Sequence, residues 1–149
     1  RKGTLYEGGI RVPFIVNQPG MVPIQTLDNL IYFPDMMPTL AALAKGTKHL
    51  PKQINGINIL PLFYGKQVDT DNRLLYWEFP GKQRAARKGD WKCVTIHPNQ
   101  PLELYNLKED PEETNNLAKK YPRRVKEFDE EMQRMHIPTP NWPQPGEQF

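Results

Sequence analysis

Lys2 stands five residues ahead of Glu7-Gly8-Gly9, and Arg11-Val12-Pro13 follows Ile10 directly. Paired glycines permit a tight backbone turn, and a lysine before them offers a flexible point charge to an anion. By spacing alone the stretch is either an anion site or a turn. The other reactive side chains are scattered. Cys93 alternates with Val94 in a strand pattern, which suits a packed thiol better than a nucleophile. His49, His97 and His136 lie far apart without metal-like spacing and read as surface or loop residues. Asp110, Glu112 and Glu113 carry enough charge for a cation, but Asp110-Pro111-Glu112-Glu113 also fits a capping box with Pro at the first helical position. The chain has no Ser, which excludes every serine nucleophile, and its single Cys excludes an internal disulfide and a multi-Cys zinc site. No P-loop, dinucleotide fingerprint or EF-hand loop is present.

The elements that must position these residues change character along the 149-residue chain. Phe14 to Asn17 follows Pro13 as an apolar run and reads as a strand buried on both sides, without an obvious neighbour in the first half. A helix is expected over Met36–Ala44, capped by Asp35 and closed by Gly46, with Met36, Met37, Leu40, Leu43 and Ala44 on its apolar face. Residues 47–71 read as a long irregular connection. Four short strands are expected at Arg73–Phe79, Gln83–Gly89, Trp91–Ile96 and Leu102–Leu107, with turns at Gly81 and Gly89-Asp90. A helix then covers Pro122–His136, with Val125, Phe128, Met132 and Met135 on one face and Lys126/Glu130 and Glu130/Arg134 as i,i+4 pairs. The proline-rich tail from Pro138 to Phe149 should be extended. This is an antiparallel sheet covered by a helix, an α+β layer pair.

Net charge is +3, and residues 82–92 hold five basic groups (Lys82, Arg84, Arg87, Lys88, Lys92) against one acidic. They are expected to sit in water on a hairpin that could touch an anionic polymer. Nucleic acid is disfavoured as a partner because aromatic residues are not interleaved at recognition spacing. No run approaches the ~20 apolar residues of a membrane segment, and no signal peptide is visible. The chain therefore reads as soluble, or as already processed or cut.

The letters of the first stretch carry more than their spacing. Lys2, Glu7-Gly8-Gly9, Arg11-Val12-Pro13 and Pro19-Gly20 resemble the sulfatase family, the arylsulfatase-like branch of the alkaline-phosphatase superfamily. Further similarities run in order along the chain. They are Asp35-Met36-Met37-Pro38-Thr39-Leu40, Asn55-Gly56-Ile57 with Leu60-Pro61-Leu62, Ala86 to Lys92, and Glu103 to Leu107 with Asp110-Pro111 and Glu113 to Ala118. The resemblance implies an α/β alkaline-phosphatase-like fragment at 1–70, the end of the large catalytic domain. At 71–149 it implies the small α+β C-terminal domain, a four-stranded antiparallel sheet packed by a helix.

It also implies a hydrolase of sulfate monoesters acting on a sulfated small molecule or glycan. In that family a formylglycine made from Cys or Ser in Cys/Ser-x-Pro-x-Arg attacks sulfur, and Ca2+ clamps the sulfate oxygens. Cys93 is followed by Val94-Thr95-Ile96, so it is not that motif. The formylglycine and the Ca2+ ligands are therefore expected upstream of Arg1, none in this chain, and the chain alone is expected to be inactive. Lys2 matches the family's sulfate-contacting lysine, the expected catalytic and substrate-binding residue. Arg84 and Trp77 are further candidates for a pocket around a sulfated sugar, while Glu7 and Arg11 read as structural. The partner implied is the remainder of the sulfatase large domain, and the location implied is periplasmic, secreted or lysosomal. The alternative is a non-catalytic binding or structural module derived from the sulfatase C-terminal domain.

Overall fold

The computed structural model describes residues 3–79, 83–97, 99–140, 143 and 146–148. The chain forms two compact units. One is Pro13–Asn72, and the other joins the N-terminal stretch up to Val12 to the chain from Arg73 onward. The stretch ending at Val12 lies on the sheet.

That sheet has strands β1 (Leu74–Phe79), β2 (Gln83–Lys88), β3 (Trp91–Thr95) and β4 (Glu103–Asn106), all antiparallel and in sequence order. Gly89, at φ 55°, makes the two-residue turn between Lys88 and Trp91, where a left-handed backbone matches the strand twist. Period-two alternation sends Ala86, Cys93 and Leu104 to one face, against Phe128 and Met132 of a helix at Pro122–Met135. The other face carries Ala85, Val94 and Tyr105, and it is covered by Leu5, Tyr6 and Ile10. Leu5, 3% exposed, contributes roughly 1.5–3 kcal/mol by its burial. The outer edge of β4 is closed by Leu117 N–H, which donates to Leu104 O at 2.8 Å.

The helices are α1 (Glu7–Ile10), α2 (Met36–Leu43), α3 (Leu60–Phe63) and α4 (Pro122–Met135). The expected helix start at Asp110 is absent. Asp110 instead accepts hydrogen bonds from Thr114 N–H, Thr114 Oγ1 and Asn115 N–H, which closes a turn and holds its carboxyl below the usual range. Glu113 takes φ 56° and points inward. On α4 the Lys126–Glu130 pair forms at 3.8 Å, whereas Arg134 turns to Glu131 rather than Glu130.

Within 13–72 the expected strand at Phe14–Asn17 does not form. No other strand is described in that unit, so the segment has no ladder partner, and Ile15 is 85% exposed. Asp35 does not cap α2 either. Fully buried, it accepts Tyr32 N–H at 3.0 Å and Ile57 N–H at 2.9 Å, while Thr39 Oγ1 accepts Ile59 N–H at 3.0 Å. These two side chains therefore pin the irregular stretch before α3. Gly56 lies so close to this knot that a Cβ would sit 2.0 Å from Pro34 O, which only glycine avoids. The outer face of α2 (Met37, Leu40, Leu43) is exposed, and Leu40 and Leu43 line a groove of about 450 Å3 with Phe14, Ile15 and Phe63.

Candidate functional site

Lys2 lies outside the described residues, but the residues just after it are fastened to the sheet one by one. Gln83, at the start of β2, donates from Nε2 to Gly3 O at 3.2 Å and accepts Leu5 N–H at 3.3 Å. Its amide thus stands in for a ladder partner on both sides of Thr4. Tyr6 donates its hydroxyl to Glu103 Oε2, which also accepts the Tyr105 hydroxyl at 2.9 Å. Burial, then the hydrogen bond to the Glu103 carboxylate, push both tyrosine hydroxyls far above their ordinary pKa.

Glu7 completes the series. Its Oε1 meets Lys92 Nζ at 2.9 Å, and its Oε2 lies 3.5 Å from Arg87 Nη1. Lys92 Nζ also meets Glu113 Oε1 at 2.8 Å, and Glu113 Oε2 accepts the Glu7 backbone N–H. The Lys92 side chain is fully buried and that of Glu113 is 2% exposed. Lys92 was expected in water with the basic hairpin. It faces inward because it shares a sheet face with Val94, and its charge is offset by two carboxylates distant in sequence, Glu7 of α1 and Glu113 of a loop. Sequence reasoning missed Gln83, Lys92 and Glu113. The available signal was an Arg-Lys-Gly-Asp-Trp-Lys run without apolar alternation, which reads equally well as an exposed turn.

The other expected site residues do not converge. Trp77 pairs with Ala85 and packs on the face that holds Leu5. Arg84 pairs with Glu78, on the opposite face, and lies 3.6 Å from Asp129 of α4. Cys93 is buried, and burial followed by the Asp129 carboxylate pushes its thiol up to about 12, which suits packing and not attack.

His136, expected as an ordinary loop residue, is held between two carboxylates. Its Nδ1 is 2.6 Å from Glu78 Oε1 and its Nε2 is 2.6 Å from Glu147 Oε1. A neutral imidazole donates from only one nitrogen, so this arrangement requires the imidazolium. Burial opposes the charge, but the two carboxylates outweigh it and raise the pKa above the usual histidine value. Among the described residues no three His, Cys, Asp or Glu side chains form a metal-binding group. Among them, too, no helix is long and apolar enough to cross a membrane.

Comparison with known proteins accounts for most of this chain. Residues 1–137 match the family described as N-sulphoglucosamine sulphohydrolase, C-terminal. A sulfatase of Formosa agariphila is 32% identical over 139 residues, covering 82% of this chain and 25% of that protein. A Bacteroides thetaiotaomicron structure, solved as a candidate sulfatase, is 27% identical with a TM-score of 0.72, over 90% of this chain and 31% of that one. A structure of a 2-O GAG sulfatase is 27% identical with a TM-score of 0.50, over 67% of this chain and 24% of that one. The chain spans about a quarter of the length of the first curated relatives it matches. The four-stranded antiparallel sheet with its helix is the C-terminal part of an alkaline-phosphatase-like sulfatase fold, as the sequence resemblance implied.

Proposed function

The chain belongs to the sulfatase family, in its N-sulphoglucosamine sulphohydrolase C-terminal class, and on that premise we propose that it forms the C-terminal portion of an enzyme hydrolysing sulfate monoesters. Its role is to complete the active-site cleft and to supply Lys2 to the sulfate group. A fixed cation there offsets charge on the transferred group and on its leaving oxygen. The observation that carries this reading is the clasp on Gly3, Leu5 and Glu7 by Gln83 and Lys92, one peptide bond after Lys2. Precise placement of a charge is worth such a scaffold, because preorganised donors need not reorient as the bond breaks.

The remainder of the enzyme belongs to this proposal. A preceding large domain carries the formylglycine and Ca2+, which supply the nucleophile and the sulfate clamp; no ligand for that cation is assigned to this chain. The exposed apolar face of Phe14, Ile15, Leu40 and Leu43 supports it, since a contiguous patch of this kind marks a surface that another element covers. The ladderless run at Phe14–Asn17 would gain its neighbours there. The substrate class is a sulfated glycan or an aryl or alkyl sulfate, and the site of action is outside the cytoplasm. The test is Lys2→Ala in the full-length protein, assayed on a sulfate monoester. The rate should fall roughly 10²–10³-fold, as on removal of one preorganised donor. An unchanged rate removes Lys2 from the mechanism.

A further inference from the structure

The charges along α4 run against its backbone. Residues 119–126 hold Lys119, Lys120, Arg123, Arg124 and Lys126 and no acidic residue, whereas Glu127, Asp129, Glu130 and Glu131 come later. The first turn has no acidic group. The N-terminal end of a helix is its positive pole, where cations are unfavourable, so helix stability does not account for this order. Neither does internal pairing. Among the described residues no ion pair is formed by Lys119, Lys120 or Arg123, and all three are exposed.

The cations are arrayed over an aromatic pair. Arg124 lies 4.4 Å above the Trp91 ring, Trp91 meets Tyr121 edge-on at 5.3 Å, and Lys120 is 5.3 Å from the Tyr121 ring. Exposed Lys88 is the cross-strand partner of Trp91. The rings are occupied by the protein's own cations, which holds those cations in place and leaves no free platform for stacking bases. The exposed apolar side chains nearest this face, Met135 and Ile137, lie at the opposite end of α4 from the cations, so no apolar wedge accompanies the cationic patch.

We propose that this face binds the sulfate groups of a polymeric sulfated glycan. The choice of glycan rests on the sulfatase reading above; the cationic surface itself does not. Guanidinium and ammonium groups spaced over the turn before α4 and its first turns, two of them held over rings, suit repeated monoanionic sulfates, with Arg able to engage two oxygens at once. Lys92, which the sequence grouped with a basic surface, takes no part because it is buried.

The test measures binding of the full-length protein to dextran sulfate, with unsulfated dextran as control. Lys119→Gln/Lys120→Gln/Arg123→Gln should lower the affinity by about tenfold, with a shallower salt dependence, since three screened contacts are lost. Lys45→Gln/Lys48→Gln/Lys52→Gln removes the same charge from exposed positions elsewhere and should leave the affinity unchanged. Equal losses in the two variants would reduce the effect to net charge and overturn the proposal. So would tighter binding to duplex DNA, or to phosphatidylserine-containing phosphatidylcholine vesicles, than to dextran sulfate. A protein that hydrolyses a sulfate monoester through Lys2 but does not retain dextran sulfate refutes this inference and leaves the sulfatase reading standing. One that binds dextran sulfate but is indifferent to Lys2→Ala does the reverse.

Discussion

Lys92 Nζ lies 2.9 Å from Glu7 Oε1 across 85 positions of sequence, with none of the lysine side chain exposed. One buried cation thus joins the start of α1 at Glu7, the beginning of β3 and the loop at Glu113 into a single unit. Removing it leaves two buried carboxylates with only Arg87 among the described residues, 3.5 Å from Glu7, to offset them. Lys92→Met should therefore destabilise the protein by about 3–5 kcal/mol, the cost of breaking a buried pair from one side. Denaturant titration reads this directly. The loss should shrink when Glu7→Gln and Glu113→Gln are present as well, and an equal loss in both backgrounds would rule the ion triad out as its cause.

Gln83→Ala removes two hydrogen bonds to the stretch after Lys2, which should cost about 1–3 kcal/mol. In the full-length protein it should also lower kcat with little change in KM. If the amide acts through Lys2, this rate effect disappears in the Lys2→Ala background. Additive losses would reduce Gln83 to a purely structural residue.

The pKa of His136 is raised in the folded protein. The stability it contributes is therefore fully present below the unfolded value, about pH 6.5, and is lost as pH rises through the folded value. The melting temperature of wild type should exceed that of His136→Gln most at low pH, and the gap should close on the alkaline side. A gap independent of pH would show that Glu78 and Glu147 do not hold an imidazolium.

Cys93 should resist alkylation. With no exposed surface and a thiol pushed up to about 12, it should remain unlabelled by iodoacetamide at about pH 8 in the native state and react fully in denaturant. Rapid native labelling would place it in a mobile or open region.

The sheet and α4 are legible in the sequence because their determinants are local. The Gly89-Asp90 turn sets the β2–β3 register, Pro122 opens the helix, and Phe128 and Met132 fall on one face. What is not legible depends on partners far along the chain. Asp110-Pro111-Glu112-Glu113 has the composition of a helix start, yet Glu113 is drawn into a left-handed conformation while its carboxylate reaches Lys92. Lys92 itself is hidden by the same circumstance: both faces of the sheet are covered, so alternation in β3 no longer separates water from core. Phe14–Asn17 has the composition of a buried strand, but the ladder that would make it one is not within its unit. Lys2 and its companions were legible as a family motif, whereas the residues that hold the motif in place were not.

The stretch ending at Val12 covers one face of a sheet that begins only at Leu74, and this sets an order of events during biosynthesis. Tyr6 and Glu7 are made well before their partners, since Glu103 and Glu113 follow 97 and 106 positions later. At a synthesis rate of about 5–20 residues per second, the stretch must wait roughly 5–20 s with Leu5 unburied. The 13–72 unit is meanwhile free to assemble as an insertion between two halves of its neighbour. The buried lysine is therefore among the last contacts made, and a ribosome-bound chain stalled before Glu113 should still expose the stretch around Leu5 and Glu7 to proteases.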